Sequence, residues 1–123
     1  MDNVDKKNNE ILNQILSTRG FVESFHKILA KNDVDELKLL AQIWEHNFLS
    51  NILTKKEVAL IRLSVVATLH NSTAISHSID QALDAEANIE EIIASLELAS
   101  YFAGILVLVD SMKILEEKLN KLT

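Results

Sequence analysis

A chain of 123 residues with no proline and only two glycines, Gly20 and Gly104, has few ways to turn sharply. Sandwiches and barrels join many short strands through turns that need glycine's positive φ or proline's fixed φ. A helical chain needs such residues only at its corners, and side-chain caps can serve there instead. The scarcity therefore predicts an all-α fold, with about three quarters of the residues helical and no sheet. Nearly half the residues are apolar and about a quarter are charged, enough to bury a real core and still dissolve it.

The apolar spacing marks about six helices. The first runs near Val4–Ser17, with Ile11, Leu12, Ile15 and Leu16 on its apolar face, and Gly20 ends it. A short second helix near Phe21–Ala30 carries Phe21, Val22, Phe25, Ile28 and Leu29. "DVDE" places Asp33 as N-cap and Glu36 at the third helical position of a helix reaching Phe48. The same device recurs as "TKKE", Thr54 to Glu57, opening a helix to about Leu69, and as "NIEE", Asn88 to Glu91. Between these, Asn71 or Ser72 can cap a helix over Thr73–Leu83, and the last helical stretch continues to Leu122 with a bend at Gly104. No linker, repeat or low-complexity tract interrupts the text, so a single domain over residues 1–123 is expected.

Composition also excludes chemistry. A net charge of −6 provides no basic stripe for phosphates, so nucleic acid is not an expected partner. The absence of cysteine removes disulfides, thiolate metal sites and thiol catalysis, and no other metal site or cofactor is expected. Met1 and Met112 cannot form a resolvable disulfide. The N-terminus has no apolar signal region, and the one membrane-like run, Ile92 to Val109, contains Glu97, two serines and Gly104. A cytoplasmic protein that does not enter the membrane is expected. The run "FAGILVLV" is apolar on nearly all sides, more than one small bundle can cover, which points to a homo-oligomer.

Three stretches, "LTKKEVALIRLSVVATL" (Leu53–Leu69), "ALDAEANIEEI" (Ala82–Ile92) and "ASYFAGI" (Ala99–Ile105), resemble the carboxymuconolactone decarboxylase family, which includes the alkylhydroperoxidase-D-like proteins. The resemblance spans Trp44 to Leu119, and its spacing can be followed from Trp44 through Gly104 without a gap. The resemblance implies an alkylhydroperoxidase-D-like helical bundle assembled as dimer-based trimers or hexamers. It also implies a pocket at Ala59, Arg62, Asn71, Ala74, Ser78 and Trp44. The departures concern chemistry. The two cysteine positions of the family fall on Asn71 and Ala74, its histidine on Ser78 and its assisting glutamate on Ala59, with Glu57 two residues away. The turn glycine becomes Glu86, and the final proline becomes Leu106. Without sulfur at either position the thiol peroxidase cycle cannot run. Ser78 is a poor acid or base for the lactone decarboxylation.

Candidate substitutes are His77, His70 and Glu97. On one unbroken helix His70 and His77 would share a face at roughly 10 Å, too far apart to ligate one metal. His77 has Thr73 and Asp80 within helical reach, which fits either an oriented catalytic imidazole or a solvated surface pair. Ser76 and Ser78 lack a neighbouring base and suit close helix packing. Trp44 suits core packing as well as a pocket, and His26 gives no signal. Glu97 sits among Ile93, Leu96, Leu98 and Tyr101, so burial and a structural ion pair with Arg62 are expected. Two functional classes follow. One is a non-redox helical oligomer that binds a small organic ligand or serves as an assembly module. The other is an acid–base enzyme of the decarboxylase or lyase type using His77 or His70.

Overall fold

The computed structural model describes the backbone of residues 3–122 and the side chains of residues 8–122, so Met1 lies outside the described residues. Among the described residues there are seven helices and no strand. These are α1 (Asn3–Arg19), α2 (Ser24–Asn32), α3 (Val34–Phe48), α4 (Lys55–Ala67), α5 (Ser72–Asp84), α6 (Ile89–Ala103) and α7 (Leu106–Leu122). They group into two compact units, Met1–Asn51 and Ile52–Thr123.

In the first unit α1, α2 and α3 each pack against the other two. Ile11 and Ile15 of α1 meet Ala30 of α2 and Leu37 of α3 in a small core. Gly20 stops α1 with a φ of 87°, and its N–H donates to the Leu16 carbonyl at 2.9 Å. The next helix starts at Ser24, three residues later than its apolar spacing predicts. The His26 ring sets that start: its Nδ1 accepts the Glu23 N–H at 2.9 Å and takes over the role of a capping side chain. Asp33 caps α3 by accepting the Glu36 N–H at 3.2 Å.

In the second unit α4 packs on α5 and α6, and α7 packs on α5 and α6. Each helix contributes one stripe at helical spacing: Ala59, Leu63 and Ala67; Ile75, Ser78, Ile79 and Ala82; Ile92, Leu96, Ala99 and Ser100; Val107, Ser111 and Leu115. Burying a leucine or isoleucine of this set is worth about 1.5–3 kcal/mol. The caps are local. Thr54 and Glu57 form a reciprocal capping box at 2.9 and 3.0 Å, and Asn88 and Glu91 form another at 3.0 and 2.8 Å. Asn71 accepts the Ala74 N–H at 2.9 Å and opens α5.

The helix count differs from the expected six because Gly104 breaks the final stretch instead of bending it. Its φ of 108° and ψ of 159° lie where only glycine is comfortable, so the helical hydrogen-bond ladder cannot continue through it. The chain closes α6 with the Gly104 N–H donating to Ser100 at 2.8 Å, and α7 begins two residues later. Leu96 of α6 and Val107 of α7 enter the same core. Among the described residues no helix is long and apolar enough to cross a membrane.

Candidate functional site

The family-register positions of the second unit sit on α4 and α5. Ala59 and Ser78 are buried in its core, Ser78 completely. The Ser78 hydroxyl has no hydrogen-bond partner, and neither has that of Ser111 on α7. Both are small side chains on helices that pack on each other, and both hydroxyls are left unsatisfied in the core. Asn71 is an exposed N-cap and Ala74 is half-buried just behind it. Arg62 donates a hydrogen bond to Gln81, joining α4 to α5.

Glu97 departs from its expected burial. Helix α6 turns Ile92, Leu96, Ala99 and Ser100 inward, which leaves Glu97 and Leu98 on the outer face. A solvated carboxylate needs no buried partner, so the reason for expecting the Arg62 ion pair disappears. His70 and His77 do not share an unbroken helix. His70 adopts a left-handed φ of 56° in the turn between α4 and α5, and its Nδ1 lies 2.9 Å from an Asp110 carboxylate oxygen on α7. Both partners of that pair face solvent, so it fastens the turn. His77 is half-buried on α5, and Asp80 is engaged by the Lys118 ammonium at 2.8 Å. Among the described residues no cluster of three histidine, aspartate or glutamate side chains could hold a metal.

A different site emerges in the first unit. A cleft of about 260 Å³ opens between α1, α2 and α3, lined by Ile15, Phe25, Leu37, Leu40, Trp44 and Phe48 with Gln14, Arg19 and His26 among them. Arg19 closes the last turn of α1, where a cation complements the helix dipole. Its guanidinium lies 5.6 Å from the Trp44 ring centre and 5.0 Å from that of Phe21. Trp44 stacks on Phe48 with ring centres 5.1 Å apart. His26 is only 3% exposed, and its Nε2 lies 3.1 Å from Arg19 Nη1. Arg19 Nε and Trp44 Nε1 are buried and have no partner. Trp44 is the one family-register position that lines this cleft, and the chain's single tryptophan therefore reports on it.

Burial lowers the pKa of the His26 imidazole below its ordinary value, and the Arg19 charge pushes the same way against an opposing pull from Glu23. Burial likewise lowers the Arg19 pKa, with Glu23 opposing. The sign for stability follows from linkage. As pH falls through about 6.5, the unfolded His26 takes up a proton that the folded one refuses. The first unit is therefore expected to lose stability below about pH 6.5, levelling off once the folded pKa is passed. Urea melts followed by Trp44 fluorescence between about pH 5.5 and 7.5 check this, and His26→Gln should flatten the dependence. An equal slope in both proteins would contradict it.

Sequence reading missed Arg19 and His26 because neither carries a local signature. The one available signal was positional: Arg19 directly precedes the helix-breaking Gly20, and His26 falls at the third position of α2. No protein-family model, curated protein or solved structure matches the chain.

Proposed function

We propose that this chain is a non-redox binding protein whose first unit holds a small organic ligand in the α1–α3 cleft, and whose second unit joins copies of the chain into a homo-oligomer. The observation that carries the reading is the cleft itself. It combines a mostly aromatic and aliphatic lining with a few buried N–H donors, the usual make-up of a small-molecule site. Membership of the carboxymuconolactone decarboxylase-like family is part of the proposal. It is supported by the left-handed φ of 67° at Glu86, the position where the family keeps its turn glycine. Thiol peroxidase chemistry is outside the reading because the chain has no cysteine.

The acid–base alternative draws on the His70–Asp110 pair, an imidazole oriented by a carboxylate. Both side chains are well exposed, and water screens the preorganised field that such a pair needs for catalysis. The binding reading therefore stands first. Its test uses octanol as an uncharged probe of about the right size. Saturable change in Trp44 fluorescence is expected, and Ala41→Phe, which fills the cleft, should abolish it. A fluorescence change that never saturates, or that survives Ala41→Phe, would remove the cleft from consideration.

A further inference from the structure

Hydrogen-bond accounting in the cleft leaves acceptors missing. His26 Nδ1 accepts the Glu23 N–H, so a neutral imidazole must carry its own hydrogen on Nε2. That Nε2–H then faces the Arg19 Nη1–H across 3.1 Å, donor against donor. The Arg19 Nε–H and the Trp44 indole N–H are also buried without an acceptor. Native interiors rarely leave even one such donor unpaired, and here Arg19 and Trp44 each carry one beside the His26–Arg19 donor pair, on three side chains that line a single cavity. The chemical complement of such a donor set is an anionic oxygen pair, which accepts hydrogen bonds and donates none.

We propose that the α1–α3 cleft binds a small amphipathic carboxylate, its carboxylate seated among Arg19, His26 and Trp44 and its apolar body against Leu37, Leu40 and Phe48. This rests on the cleft being a ligand site, as proposed above. The charge balance selects a monoanion. Arg19 is the single cation in the lining, and Glu23 lies close enough to offset part of its field. A phosphate dianion would bring more negative charge than this set can neutralise. The cleft volume of about 260 Å³ lies just under the usual range for ligand cavities, which sets the ligand at roughly ten non-hydrogen atoms. The depressed basicity of His26 agrees with a neutral imidazole donating through Nε2.

The experiment is calorimetric titration of the full chain with octanoate, octanol and octylammonium at neutral pH. Octanoate is expected to bind at least tenfold more tightly than octanol, and octylammonium at least tenfold more weakly than octanol. Arg19→Met should remove the preference, so that octanoate and octanol bind the variant with equal affinity. Trp44→Phe keeps an aromatic side chain but removes the N–H, and should weaken octanoate several-fold more than it weakens octanol. If Arg19→Met fails to fold, the octanoate-to-octylammonium ratio in the unaltered chain still decides the matter. Equal affinity for the three probes would overturn the anion assignment and leave the ligand cleft standing. No binding of any probe would overturn both.

Discussion

Replacing Ser78 with histidine is expected to destabilise the second unit by about 3 kcal/mol or more, since overpacking and a buried unsatisfied imidazole each cost about 1–3 kcal/mol. Ser78 is fully buried between the stripes of α5 and its neighbours, and its small hydroxyl already lacks a partner. An imidazole there must either push α5 away from the helices packed on it or lose its own hydrogen bonds. The opposite change points the other way. Ser78→Ala removes an unpaired buried hydroxyl at nearly constant volume and should stabilise the unit by about 1 kcal/mol. Urea denaturation followed by helical circular dichroism distinguishes the two. An unchanged midpoint for Ser78→His would show that the core around α5 has room the structure does not display. The result bears directly on chemistry. A cysteine at Ala74 fits a half-buried helix start and one at Asn71 costs about 1 kcal/mol of capping, but the histidine that would accompany them meets a closed core. The unaltered chain, without a thiol, should consume peroxide with a dithiol reductant at the uncatalysed rate.

Light scattering at micromolar concentration is expected to return a multiple of 13.8 kDa, dimer-based and trimeric or hexameric. The surface expected to form the contact is the corner between α6 and α7, where Leu98, Tyr101, Phe102, Ile105, Leu106 and Val109 are all exposed. Tyr101 and Phe102 are 85% and 83% exposed, and their rings meet edge to face at 5.1 Å. With large side chains worth about 150–250 Å² each, the six leave on the order of 800 Å² open, the amount one partner contributes to a standard interface. A second copy is the fitting occupant because no charge lies between Glu97 and Asp110, so the patch meets its own image without like-charge repulsion. Asp110 at its rim is already paired with His70. Tyr101→Lys with Phe102→Lys should reduce the mass to that of one chain while leaving the helical signal intact, since neither ring supports the core. A monomer mass for the unaltered chain would end this reading.

What sequence determined is what neighbours in sequence determine. Thr54, Asn71 and Asn88 open their helices through bonds to residues three positions on, so those starts are readable without a partner helix. The all-helical character follows from the scarcity of turn residues, and the exclusion of thiol chemistry from the absence of cysteine. Tertiary structure decided the rest. The run around Glu97 is apolar on several sides, and only the packing of α6 on α4 and α7 chooses which side is covered. That choice left Glu97 in solvent and the aromatic corner bare. Gly104 advertised a bend, yet its φ of 108° made a break that no count of apolar residues contains. The cleft of the first unit depends on the angles at which three helices meet, bringing Arg19, His26 and Trp44 together from separate elements. Caps act across one helical turn and are written locally. Interhelical angles emerge from many side chains interlocking at once, so no short stretch of sequence can specify them.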